Sequence, residues 1–251
     1  MLRHSRRFPK ALALLFALTL WQAAAMALGQ PLLLPSPIDV IGRLLTIWEE
    51  PGFFVSVVNS FLRIVLGFLL GLCAGVLLAL PASRLKWLET LLWPYVQFIK
   101  STPVASFVIL ALIWLSSARL STFISMLMVF PVVYLNALKG FGSVPPQMAE
   151  MAALYAVPFS RRLKYLYVPA LRPSLLSASS IALGLCFKAG IAAELIGVPQ
   201  NTIGERLYEA KIYLNTVDVF AWTAVIIVIS ALFEKAFLRV LQRLLKRGTK
   251  A

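Results

Sequence analysis

The chain has 251 residues, 60% of them hydrophobic, with a mean hydropathy of +0.85 and only 14% charged residues. Several uninterrupted apolar runs approach the roughly 20 residues that cross a bilayer core, which excludes an ordinary soluble domain. The net charge of +14 is dispersed over alternate loops and not gathered on one face among aromatics, which argues against a nucleic-acid surface.

Six candidate spans follow in chain order: 11–29, 57–80, 88–115, 120–138, 174–197 and 217–238. The third is interrupted by Pro94 and by Lys100-Ser-Thr-Pro103, and broken helices in membranes lie where freed backbone groups meet protein or water. No β-type alternation or low-complexity tract occurs. The expected fold class is therefore all-α: a polytopic helical membrane protein of about six transmembrane helices, forming one transmembrane domain over residues 1–251. Cys73 and Cys186 both sit inside apolar runs and read as small core residues, with no metal or disulfide pattern.

The basic residues set the orientation. Seventeen of the 24 lysines and arginines fall before span one, after span two, between spans four and five, or at the end of the chain; four fall in the opposite loops. By the positive-inside rule, both termini are expected in the cytoplasm. A rival reading exists at the N-terminus: Arg6-Arg7, an apolar stretch and Ala25-Met-Ala27 also fit a secretory signal with its cleavage site. An intact N-terminal tag on the membrane-embedded protein distinguishes the two.

Within the spans, Gly67, Gly71 and Gly75 recur once per helical turn, a spacing that lets two backbones approach closely in lipid. Ionisable residues in spans are functional candidates. Lys100, beside the break in span three, and Lys188, deep in span five, are candidates for the solute path, with structural pairing or snorkelling as the alternative. Glu194, near the outer end of span five, is a third path candidate, expected to face external water or a partner protein. Arg63 is expected to snorkel to the outer interface. Between spans five and six, Leu207, Tyr208, Lys211, Ile212 and Leu214 suggest a short amphipathic helix on the outer surface.

The segment between spans four and five is the one structured, charged surface expected in the cytoplasm. Pro145-Pro146 suits a helix start, and Glu150 follows in the first turns, close to the positive end of the dipole. Ala149, Ala152, Ala153 and Ala156 form a small-residue face on which another protein can lie close. A second helical stretch, Ser160 to Tyr167, carries Arg161, Arg162 and Lys164, and Pro169 and Pro173 are expected to interrupt it before span five. From these residues alone, docking of a protein and adsorption to anionic lipid are both open.

Glu150-x-Ala152-x3-Ala156, then basic and aromatic residues, then Val168-Pro169-x3-Pro173, resembles the EAA loop of binding-protein-dependent ABC importer permeases. That family's glycine is Ala156 here and its second position is Met151. Leu34-Pro-Ser-Pro37 with Val40, Ser60-Phe-Leu-Arg63-x3-Gly67, the stretch Gly184 to Gly197 and Asp218-Val-Phe-Ala-Trp222 resemble the nitrate/sulfonate/taurine-type branch, over about 35–235. Where the branch often has Trp-Phe-Gly, this chain has Trp114-Leu-Ser-Ser117.

The resemblance implies a permease subunit in the bacterial cytoplasmic membrane, moving a small solute such as a sulfonate, nitrate or thiamine precursor. It implies a homodimer, a cytoplasmic ABC ATPase docking on Glu150, Ala152, Ala153, Ala156, Arg161, Arg162, Lys164 and Pro169, and an extracytoplasmic solute-binding protein. The chain has no G-x4-G-K-[ST] phosphate loop, so ATP is expected in the partner and no cofactor here. His4 is the single histidine, and no catalytic constellation is present. The alternative from another class is a self-sufficient secondary transporter or channel, which predicts an internal repeat and paired acids within spans.

Overall fold

The computed structural model describes residues 7–247, with side chains from 12 to 245. Arg3, Arg6, Arg7, Lys10, Lys246, Arg247 and Lys250, counted above for orientation, and His4 lie wholly or by their side chains outside the described residues. The described residues form helices and turns without a strand. Four helices are long and apolar enough to cross a membrane: Phe53–Ala82, Ser117–Gly142, Phe159–Gly197 and Thr216–Leu245.

The core is built from α3 (Phe53–Ala82), α6 (Ser117–Gly142) and α9 (Val168–Gly197), with α11 (Thr216–Arg247) against α9. The reason α3 and α6 lie so close is visible atom by atom. A Cβ at Gly67 would fall 2.3 Å from the Thr122 carbonyl oxygen, one at Gly71 2.7 Å from the Met126 carbonyl oxygen, and one at Gly75 2.9 Å from Val133. The glycine row is thus a helix–helix contact within one chain, the packing that lipid, offering no hydrophobic drive between helices, requires. Phe68, Phe233 and Phe237 then fill the α3–α11 seam edge to face.

The first expected span is α1 (Arg7–Leu28), whose apolar stretch Leu12–Leu28 is shorter than the four above. It touches the remainder chiefly through Trp21, which donates to the Pro35 carbonyl at 3.1 Å and packs on Phe220. Ala25-Met-Ala27 lies inside this helix. The Leu34-Pro-Ser-Pro37 entry proves to open a further helix, α2 (Pro37–Thr46), with a capping box between Ser36 and Asp39 and proline at its first position.

The third expected span is two helices, α4 (Lys86–Ser101) and α5 (Val104–Ala111). Pro94 does not break it: α4 runs through, and the chain turns only at Thr102-Pro103, where Thr102 is extended (ψ 131°) as a residue before proline must be. The same happens at the start of span five. Phe159–Gly197 is continuous through Pro169 and Pro173, because a π-helical turn at Leu163–Tyr167 makes room for Pro169 at the head of α9. Cys186 is in the core, but Cys73 is exposed on the outward face of α3.

Candidate functional site

The segment between α6 and α9 begins with α7 (Pro146–Leu154), of which no residue is buried. Glu150 is exposed on its second turn, within the expected first turns but past the last unpaired backbone N–H groups, so the dipole acts on it weakly. Ala149 and Ala152 are half-buried and Ala153 and Ala156 exposed, but the surface α7 offers is dominated by larger side chains. Met148 and Met151 are exposed, Leu154 is 83% exposed and Tyr155 74%. Four large apolar groups standing free on one short helix are the mark of a surface that something covers. Sequence reasoning passed over them because it attended to the alanines between them.

A tight turn separates α7 from α8 (Phe159–Arg162). Ala156, at the place of the family's glycine, has φ +49°, left-handed backbone that glycine adopts freely and alanine does not. A glycine here takes up that backbone without strain. Ala156→Gly is expected to stabilise the protein by about 1 kcal/mol, read as a higher unfolding midpoint in detergent. Arg162 closes the same turn, its Nε donating to the Val157 carbonyl at 2.5 Å, and so is committed locally, whereas Arg161 is exposed and Lys164 lies over the Tyr165 ring.

Arg84, at the α3–α4 corner, stacks its guanidinium over Tyr167 at 4.6 Å and Phe159 at 5.5 Å. Tyr167 also packs on Phe141 at the end of α6. The segment between α6 and α9 is thereby tied to three membrane helices through one aromatic cluster, and Arg84 was not among the residues singled out from sequence. A corner arginine facing two aromatics more than seventy positions away leaves no local signature.

At the opposite end of the bundle, α10 (Ile203–Ile212) is the expected amphipathic helix, with Ile203, Leu207 and Ala210 buried and Ile212 and Tyr213 exposed. Beside it lies a cleft of about 440 Å³ lined by Glu50, Arg206, Glu209, Asp218 and Trp222, among others. Its charges are mutually paired: Arg43 holds both Asp218 and Glu50, and Arg206 contacts Glu209 at 3.3 Å. Arg43→Ala would leave two partly buried carboxylates facing each other, at an expected cost of about 1–3 kcal/mol, measurable by thermal unfolding.

The three path candidates fall into different settings. Lys100 is exposed at the last turn of α4 and Lys188 is exposed midway along α9, on a stripe with Ser177, Ile181 and Leu185. Neither makes an ion pair among the described residues. Glu194, expected to face external water, is instead fully buried, its Oε2 accepting from Ser60 Oγ at 2.6 Å. Six residues beyond Lys188, it falls on a different face of α9, turned inward where Lys188 is exposed. Arg63, expected to snorkel outward, is half-buried with Nη1 inside the protein. No group of three or more metal-ligating side chains occurs among the described residues.

Comparison with known proteins agrees in one direction. Residues 67–251 match the family model described as the binding-protein-dependent transport system inner membrane component. The taurine transport system permease protein of Escherichia coli is 30% identical over 229 residues, 89% of this chain and 82% of that one. The formylaminopyrimidine transport permease protein of Halalkalibacterium halodurans is 26% identical, covering 80% of each chain. The nitrate import permease protein of Synechococcus elongatus is 24% identical, over 80% of this chain and 76% of that one. A glycine-seamed bundle of apolar helices, with an uncovered apolar helix at one end and a paired-charge cleft at the other, belongs to the family of binding-protein-dependent transport system inner membrane components.

Proposed function

We propose that the chain is the membrane half of an ATP-driven importer, acting as two copies that form the path between them. A cytoplasmic ATPase docks on α7 and α8, and an extracytoplasmic binding protein delivers solute at the α10 end. Both termini are then cytoplasmic, a reading supported by the positive-inside distribution of lysine and arginine. The observation that carries this reading is the uncovered face of α7, where Met148, Met151, Leu154 and Tyr155 surround Glu150 in the EAA-type spacing. ATP stays with the partner; this chain contributes the docking helices and the path. Arg84, Phe159 and Tyr167 carry movement of the docked helices into α3, α6 and α9.

The solute we propose is a small anion. A lysine facing lipid at mid-bilayer costs roughly 2.5–3.5 kcal/mol, so the Lys188 stripe of α9 faces water or the second copy. In that position Lys188 attracts negative charge, as does Lys100 at the kink between α4 and α5. Taurine and nitrate, named for two of the relatives, both carry a negatively charged group. Lys188→Met is expected to leave yield and ATPase binding unchanged while anion transport falls by roughly tenfold or more, equivalent to about 1.4 kcal/mol. Unchanged transport removes Lys188 from the path.

The deciding experiment is gentle purification from native membranes through a C-terminal tag, with identification of every co-purifying chain. A stoichiometric ATPase is the expected companion, together with a binding protein whose bound solute mass spectrometry identifies. A crosslinked homo-oligomer without any ATPase would replace the proposal with a self-sufficient transporter or channel.

A further inference from the structure

A buried carboxylate joins two membrane helices to the start of a third helix. Glu194 of α9 accepts from Ser60 Oγ of α3 at 2.6 Å and from the Gly204 N–H of α10 at 3.3 Å. Ser60 Oγ in turn accepts from the Ile203 N–H at 2.9 Å. The first backbone donors of a helix have no partner within it, and here two of them are taken by side chains from α9 and α3. The fit is close enough to demand glycine: a Cβ on Gly204 would lie 2.2 Å from that of Glu194. Beside this node, Asn59 of α3 donates to the Asn201 carbonyl at 3.0 Å, and buried Thr202 caps α10 by accepting from Glu205 N–H at 3.2 Å.

The connections on either side of α10 are conformationally costly. Val198 (φ +42°) and Asn201 (φ +54°) precede it and Leu214 (φ +53°) follows, all left-handed, and a β-branched or bulky residue adopts that region only where its surroundings impose it. α10 is therefore a short element between two strained joints, held at its start by this polar node and along its length by buried Ile203, Leu207 and Ala210.

We infer that Glu194 and Ser60 are positioning residues that latch α10 onto α3 and α9, and that this latch opens during the transport cycle. The inference rests on the importer reading for its cycle, but the latch itself does not. When α10 leaves, Ile203 and Leu207 are uncovered and the neighbouring Glu50–Asp218 cleft changes shape, which alters access at that end of the bundle.

The test uses Leu207→Cys in a background of Cys73→Ser and Cys186→Ala, reconstituted in liposomes with its ATPase and exposed to a membrane-impermeant maleimide. Leu207 is 8% exposed on α10, so labelling should be slow. Ser60→Ala and Glu194→Ala should raise the rate about tenfold or more, as local opening becomes easier. Glu194→Gln, which keeps an acceptor at the same place, should raise it less. ATP with orthovanadate should bring the unmutated latch to the Ser60→Ala rate, a change that a static brace would not show. Labelling that ignores nucleotide, or a Ser60→Ala rate equal to that of the parent, overturns the inference. If no ATPase joins the chain, the importer reading fails separately, and the Ser60→Ala comparison on the chain alone still decides whether the latch exists.

Discussion

Gly67→Leu is expected to abolish recovery of folded protein. The added Cβ alone would sit 2.3 Å from the Thr122 carbonyl oxygen and 2.7 Å from Ser125 Cβ, so the obstacle is largely backbone, which cannot rotate aside. Ordinary overpacking of a core costs about 1–3 kcal/mol, and here a whole side chain enters a seam that had no room for one carbon. Gly71→Leu should behave alike, because the Met126 carbonyl oxygen and Val129 stand within 2.9 Å of its Cβ. Gly184→Leu supplies the control, as nothing lies within 4 Å of a Cβ there. Fluorescence-detected size exclusion in detergent reads the result: a monodisperse peak for the Gly184 variant and its loss for the other two. Equal peaks for all three would mean that α3 and α6 are held apart from the contact described.

Four of the six expected spans were legible because run length and hydropathy depend only on local composition, and the glycine row because its period matches the helical turn. Glu194 was misread for a physical reason. A carboxylate four residues from a helix end normally seeks water, and what keeps it inside is Ser60, 134 positions earlier in the chain. Arg43 and Asp218, 175 positions apart, escaped for the same cause. The prolines misled in one direction, each being expected to break a helix that in fact continues. Pro94 is absorbed within α4, and Pro169 is absorbed by a π-helical turn, since a proline ends a helix only where nothing accommodates the missing donor and the ring. The conformation at Ala156 was foreshadowed by the glycine that the family places there, although the residue itself favours right-handed backbone.

Glu150→Lys is expected to reduce the ATPase recovered with the tagged chain by tenfold or more, about 1.4 kcal/mol of docking energy at the least. Glu150 is the single carboxylate between Pro145 and Tyr167, in a segment that also carries Arg161, Arg162 and Lys164. It is exposed, and lysine is as good a helix former as glutamate, so α7 itself should persist and the chain should remain monodisperse. Leu154→Glu, at the most exposed apolar position of α7, should act in the same direction by charging the surface to be covered. The pair of variants separates the two occupants that the residues alone leave open. If the segment lies on lipid headgroups, an added lysine strengthens attachment to anionic vesicles by about 1 kcal/mol, and the ATPase ratio does not move. If it seats an ATPase, the charge reversal removes the one acidic contact offered and the ratio collapses while vesicle binding is unaffected or stronger. The sign of the change in ATPase recovery, measured beside vesicle binding on the same preparation, therefore identifies what covers α7.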